Sequence, residues 1–222
     1  MIYDIDIAKQ VAKSLLQINA IILQPNNPFK WAAGWNSTIY CDNRKTLSYP
    51  EIRNFIRSSL SSAINNHYKG ANVIAGVATA GIPHGALVAE ELDLPFIYVR
   101  AKTKEHGKQN KIEGHFEKGQ TVVLIEDLIS SGKSSLEAVS ALREAGMNVK
   151  GVVSIFTYGF EKASQNFRNL NCDFISLCDY DNMLPEALET NYITSEELPL
   201  LERWRKNPSQ WTAYNIFTSR KK

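Results

Sequence analysis

Cysteine is the first scarcity. Cys41, Cys172 and Cys178 are the three in the chain, an odd number with no C-x-x-C pair. This excludes a disulfide scaffold and a zinc knuckle, and it suits a reducing compartment. Long apolar runs are also missing, since no stretch approaches the roughly 18 residues of a membrane span. Asp4 and Asp6 stand where a secretory signal would place its basic cluster. The expectation is a soluble cytoplasmic protein without a membrane partner. Charge of one sign is scarce too: 25 Lys and Arg against 23 Asp and Glu leave a formal net charge of +2. Near neutrality argues against a nucleic-acid partner unless charge is locally concentrated. There is no internal repeat and no low-complexity segment.

What remains is ordinary globular material. With 222 residues, 44% hydrophobic and 22% charged, the chain suits one domain, with room for a small appendage. A chain of this size buries about 70% of its unfolded surface, enough for a core without staples.

The periodicity has two regimes. Ile7, Val11, Leu15, Ile18 and Ile22 recur at helical spacing, so residues 4–23 are expected to be an amphipathic helix ended by Pro25 and Pro28. An aromatic segment at 29–35 and a short strand at 38–41 follow. A helix is expected from Ser48, as N-cap, to His67, with Pro50 in its first turn and Glu51 completing the cap. From residue 72 short apolar strands alternate with helices. Strands are expected at 73–77, 95–99, 121–125, 149–156 and 174–177. Helices are expected at 84–92 and 134–144, with a further helical stretch before 174. That alternation indicates an α/β fold, a mostly parallel central sheet with helices on both faces. Ligands in such folds sit at the carboxyl ends of the strands. A last helix at 195–206 carries a capping-box pattern at Thr194 and Glu197, and it is either docked or a partner surface.

The segment Glu126-Asp127-Leu128-Ile129-Ser130-Ser131-Gly132-Lys133-Ser134 joins a buried strand to a helix. Small residues at a helix start let a phosphate approach free backbone N–H groups, aided by the helix dipole. Two acids beside a phosphate need another purpose. Ribose hydroxyls donate to carboxylates, and Mg²⁺ takes oxygen ligands. The combination points to a phosphoribosyl site, and the bland alternative is that Asp127 and Ser130 only cap a helix. Gly132-Lys133-Ser134 imitates the end of a P-loop, but that motif needs glycine five positions before Gly132, where Asp127 stands.

Residues 122–135 resemble the phosphoribosyl-pyrophosphate (PRPP) signature of the type I phosphoribosyltransferases. Among these the orotate phosphoribosyltransferases are most similar, through three further segments: Tyr40 to Pro50, Gly76-Val77-Ala78-Thr79-Ala80-Gly81-Ile82-Pro83-His84, and Tyr98-Val99-Arg100 continuing to Ile112-Glu113-Gly114. The resemblance spans residues 4–206. It implies transfer of phosphoribosyl from PRPP to orotate in pyrimidine biosynthesis, with Mg²⁺ as cofactor and a type I phosphoribosyltransferase fold. It also implies one domain over 1–222, with residues 1–70 as N-terminal helix and hood. Glu126 and Asp127 would take the ribose diol and, through water, the Mg²⁺ carried by PRPP. Residues Leu128, Ile129, Ser130, Ser131, Gly132, Lys133 and Ser134 would hold the 5′-phosphate, with Ser130 also touching orotate. Thr79 and Ala80 would bind pyrophosphate. Arg100, Lys104 and His106 would be catalytic, reaching across a homodimer into the neighbouring site.

Residue chemistry agrees with the last assignment. Residues 100–118 carry six cations against three acids, a local +3, with Gly107 and Gly114 as pivots for a lid. Arg grips phosphate bidentately, and His106 could donate to a departing oxygen. The bland alternative is a solvated charged loop. His84 reads as a helix N-terminal residue, and His67 and His115 as structural. The departures from the family pattern concern the base and the phosphate. Ala32 and Ala101 stand where some relatives of the family have basic residues. Ser131 and Lys133 replace the usual threonine-glycine pair. No arginine lies near Thr157-Tyr158. Two alternatives remain, a phosphoribosyltransferase for another base and a non-catalytic PRPP-sensing regulator.

Overall fold

The computed structural model describes residues 1–31, 34–101 and 111–211. The first helix, α1 (Ile5–Gln17), is capped by Asp4, whose carboxylate accepts from the N–H groups of Asp6 and Ile7 at 2.9 Å each. It stops well before residue 23. Asn19 adopts φ +52°, and the chain turns into β1 (Ile21–Leu23). A continuous apolar run does not distinguish helix from strand, and asparagine at a left-handed position ends the helix early. Strand β1 pairs antiparallel with β4 (Ile39–Cys41), and β2 (Phe29–Lys30) pairs with β3 (Asn36–Ser37).

A 3₁₀ helix (Asn43–Ser48) leads into α2 (Pro50–His67). Ser48 closes the first of these and does not cap the second. The N-cap of α2 is Tyr49, without a side-chain hydrogen bond, and Pro50 opens the helix.

The remainder alternates as its periodicity indicates: β5 (Val73–Val77), α3 (Gly81–Leu92), β6 (Phe96–Val99), β7 (Ile112–Glu113), β8 (Thr121–Ile129), α4 (Lys133–Glu144), β9 (Asn148–Thr157), α5 (Glu161–Asn169), β10 (Asp173–Asp179), α6 (Tyr180–Glu189) and α7 (Leu198–Lys206). The six-stranded sheet has the order β10-β9-β8-β5-β6-β7. Only β7 runs antiparallel, against β6. The sheet is therefore parallel over five strands, as a fold with helices on both faces requires.

The pleat divides each apolar strand between two cores. Ile74, Val123 and Ile125 face one core, shared with α1, α2, α3, α6 and Trp204 of α7. Val73, Ala75, Val77, Val122 and Leu124 face the other, shared with α4 and α5. Of the elements in residues 1–70, α1, β1, β4 and α2 belong to the first core. Helix α7 is docked: Trp204 is fully buried and its indole N–H donates to Asn36 O at 3.0 Å. The turn before α7 holds a reciprocal cap, Thr194 N–H to Glu197 Oε2 at 3.0 Å and Glu197 N–H to Thr194 Oγ1 at 3.3 Å. No helix among the described residues is long and apolar enough to cross a membrane.

The order of strands reverses direction between β5 and β8. From β5 the chain steps to β6 on one side, then returns to place β8, β9 and β10 on the other. The connections leaving β5 and β8 diverge and open a crevice at their carboxyl ends.

Candidate active site

A cleft of about 350 Å³ lies at this reversal. Ala78, Thr79 and Ala80, after β5, form one wall; Glu126, Asp127 and Leu128, at the end of β8, form the floor with Ser134 of α4; Cys41, Asp42 and Arg44 form the wall contributed by the hood. Three larger hollows exist among the described residues: one of about 530 Å³ between α4 and α5, one of about 690 Å³ against Met1, His67 and the start of β10, and one of about 470 Å³ between the end of α1 and the start of α2. Volume alone would favour those. The smaller cleft is the one at the strand reversal and the one holding paired acids.

The floor is a strand, not the loop expected from residue 126 onward. β8 continues through Ile129, with Glu126 opposite Ser154, Leu128 opposite Phe156 and Ile129 opposite Thr157 of β9. The polar pair breaks the apolar pattern, so a reading by hydrophobicity ends the strand at 125; the ladder with β9 carries it on. Strand geometry sends adjacent side chains to opposite faces. Glu126 turns toward α4, where Ser135 Oγ donates at 3.0 Å and Ser134 Oγ at 3.3 Å. The Asp127 N–H also donates to Glu126, at 3.1 Å. Asp127 turns toward the hood, and its carbonyl accepts from Asn43 Nδ2 at 2.7 Å. Burial, then the neighbouring Asp127 charge, push the Glu126 carboxyl up to about 8. Burial likewise raises Asp127. The floor by itself thus favours holding a proton near neutral pH, and donors to the carboxylates would displace it.

The two loops that meet here are built differently. After β5 the Ala78–Thr79 peptide bond is cis. A Cβ on Gly81 would strike the carbonyl oxygen of Ile125, so α3 begins in backbone contact with β8. After β8, Gly132 takes φ +74° and forms the N-cap of α4, with the Phe167 ring 2.5 Å from where its Cβ would be. The first N–H groups of α4 have no partners within the helix, which leaves them for an anion.

The expected site residues separate on this frame. Thr79, Ala80, Glu126, Asp127, Leu128 and Ser134 line the cleft. Ile129 does not: its side chain is fully buried in the second core, and its carbonyl accepts from Tyr158 N–H and Thr157 Oγ1. Ser130 follows it at the strand end, half-buried. Ser131 borders the groove between α4 and α5, where its carbonyl accepts from Asn166 Nδ2 at 2.9 Å. Lys133 is turned away, with 82% of its side chain exposed and its ammonium 3.9 Å from Glu137 one turn on. Arg100 reaches the neighbouring crevice, which shares Ala78 and Ser134 with the cleft, and pairs with Glu113 at 3.5 Å. Lys104, His106, Ala32 and the basic residues 220–222 lie outside the described residues.

Other titratable groups nearby are not poised for proton transfer. Burial lowers His84 to about 4, so it is a neutral residue of α3. Burial pushes the Cys41 thiol well up, and it donates to Asn43 Oδ1 at 3.4 Å. Sequence reasoning gave no role to Asn43, Arg44 or Asn166. Asn43 and Arg44 lie inside the segment from Tyr40 to Pro50 that carries the family resemblance, which was the available signal. Asn166 had none, because it comes from α5, far along the chain.

No group of three or more His, Cys, Asp or Glu among the described residues forms a metal cage. Two carboxylates at the floor are too few to strip Mg²⁺ of its water. They fit an ion that arrives with its other oxygen ligands already in place.

The model of the phosphoribosyl transferase domain matches residues 48–183. The chain is 55% identical over 203 residues to the orotate phosphoribosyltransferase of Cytophaga hutchinsonii, covering 91% of this chain and 97% of that one. It is 53% identical to that of Listeria innocua, covering 92% and 98%. The crystal structure of orotate phosphoribosyltransferase from Aeropyrum pernix superposes with a TM-score of 0.73 at 25% identity, covering 83% of this chain and 99% of that one.

Proposed function

From the premise that this chain belongs to the orotate phosphoribosyltransferases, we propose that it transfers the phosphoribosyl group of PRPP to orotate, giving orotidine 5′-monophosphate and pyrophosphate. The observation that carries this is the pairing, at the β5–β8 reversal, of two buried acids with a helix start that can bind phosphate. The relatives supply the base.

The difficulty of the reaction is departure of pyrophosphate from the anomeric carbon, with positive charge building on the ribose ring. Holding the reactants in line removes most of the entropic barrier. In our reading the N–H groups at the start of α4 take the 5′-phosphate, with Ser131 and Ser134 beside them. Gly132 admits the phosphate to the backbone, and Ser130 meets the base. Glu126 and Asp127 accept from the ribose diol and fix the ring, and their negative charge favours the cationic transition state. Thr79 and Ala80 receive the pyrophosphate, and Arg100 adds a cation beside it. Lys104 and His106 complete that cluster on chemical grounds: cations are worth most where charge develops. Leu128 closes the floor. Lys133, turned toward Glu137, adds long-range field and no direct grip.

Mg²⁺ fits this site when carried on PRPP, with Glu126 and Asp127 as the residues nearest to hold it through water. When bound it offsets the charge of the leaving group. Residues 1–222 act in this reading as one phosphoribosyltransferase domain with residues 1–70 as its hood, which the shared core supports. The homodimer, with the segment after Arg100 reaching the neighbouring site, rests on the family resemblance, and a solution mass measurement tests it. Three free cysteines support a cytoplasmic setting.

The test is orotate consumption with PRPP and Mg²⁺, followed by its absorbance. Turnover with orotate is expected. Turnover with a purine base instead would replace the substrate, and PRPP binding with no turnover would make the chain a sensor.

A further inference from the structure

Orotate differs from uracil by one carboxylate, so a site that selects it needs a cation facing the base. In the family pattern some relatives carry such cations, at positions that here are Ala32 and the Thr157–Tyr158 region. The hood wall offers another. Arg44 lines the cleft beside Cys41 and Asp42. Its Nε donates to Asp42 Oδ1 at 2.6 Å and its Nη2 to Asp42 Oδ2 at 3.0 Å. Asp42 is anchored in turn as the N-cap of the 3₁₀ helix, accepting from the Arg44 N–H at 3.3 Å. The Asp42 side chain is only 15% exposed, whereas that of Arg44 is 63% exposed. The anchor sits in the wall and the guanidinium stands in the open cleft. Two of its five N–H groups are engaged by Asp42, which leaves the other edge of the fork for a planar anion.

In that reading the other walls are already assigned. The α4 start suits the 5′-phosphate, and Thr79, Ala80 and Arg100 suit the pyrophosphate. The hood wall therefore faces the remaining reactant. Among the described residues lining the cleft, Arg44 is the one cation. Arg205, from α7, is a weaker candidate. It is paired with Asp181 at 2.7 Å, its guanidinium lies against Gly159, and it is not in the cleft lining.

We propose that Arg44 binds the carboxylate of orotate and that Asp42 holds the guanidinium in position for it. The proposal rests on the reading of the chain as an orotate-using enzyme.

Steady-state kinetics of the full chain test it, with uracil as a competing ligand. Arg44→Ala is expected to raise KM for orotate about ten- to a hundredfold, with KM for PRPP nearly unchanged. Inhibition by uracil, which has no carboxylate, should be unaltered, so the preference for orotate over uracil collapses. Arg44→Lys should recover only part of the loss, because a point charge cannot match the fork. Asp42→Asn should raise KM for orotate less than Arg44→Ala does. An unchanged KM for orotate in Arg44→Ala would overturn the proposal. So would a rise in KM for PRPP alone, which would place Arg44 on the diphosphate. Unchanged PRPP binding by Arg44→Ala confirms that the variant is folded. If the wild-type chain turned over another base and not orotate, the functional reading itself would fall, an outcome separate from either result with Arg44.

Discussion

The loops after β5 and β8 occupy equivalent places, each joining a parallel strand to a helix at the same reversal, yet they solve different problems. The β5 loop works through backbone. Its helix starts at Ala80 with no side-chain cap, and Gly81 lets that start touch the Ile125 carbonyl. The β8 loop adds side chains to its backbone donors. Its strand ends in two acids, and two serines of the following helix hydrogen-bond back to Glu126. A leaving group that must be gripped and released suits exchangeable backbone donors. A ribose that must be held still suits fixed carboxylates. Proximity explains the division at one point, since α3 begins so close to the Ile125 carbonyl that no side chain fits at Gly81.

The largest effect expected from this comparison is at Gly81. Gly81→Ala places a methyl against backbone that cannot move aside, and it should cost about 2–4 kcal/mol in denaturant unfolding, with activity lost in proportion. Next is Glu126→Gln. A neutral amide accepts less strongly from the diol, so kcat/KM for PRPP should fall about ten- to a hundredfold while the fold persists. A third effect is smaller, at Gly132→Ala. Its positive φ costs about 1–2 kcal/mol, and the Phe167 ring, unlike a carbonyl, can shift. Stability should fall less than for Gly81→Ala, whereas KM for PRPP should rise. Equal stability losses at the two glycines would break the comparison.

The acid pair also sharpens it through pH. Glu126 is raised from the ordinary carboxylate value of about 4.3 to about 8. The folded state therefore holds a proton that the unfolded chain releases. This contribution to stability is full below about pH 4 and is lost as pH rises through about 8. Thermal unfolding of the ligand-free protein should show a decline over that window that flattens in Glu126→Gln. PRPP binding, which favours the ionised pair, should release protons below about pH 8, measurable by calorimetry in buffers of different ionisation enthalpy. The smallest effect is at Ser135→Ala, which removes one neutral donor to Glu126. It should cost about 1 kcal/mol and raise the Glu126 pKa further.

Much of this arrangement is legible in the sequence. The strand at 73–77 has the expected bounds, and α4 starts one residue early. Both follow from apolar runs bounded by glycine and polar residues. Where reading failed, the failure was physical. Ile18 to Leu23 continued a helical pattern that Asn19 ended. Glu126 and Asp127 looked like a loop because hydrophobicity stops there, although hydrogen bonds to β9 do not. Ser131, Ile129 and Lys133 fell inside a phosphate signature, but one packs inward, one borders another groove and one follows its helix toward Glu137. Motif membership does not say which way a side chain faces.

The sequence by itself determined the strand–helix alternation, the acid pair at a helix start and the family, because these depend on local periodicity and on residues close together in the chain. Tertiary structure alone decided which segments meet. Asn43 reaches the end of β8, Arg44 and Asp42 stand opposite the acids, and α5 braces Ser131. Those contacts join residues many positions apart, and only the order and packing of the strands bring them together.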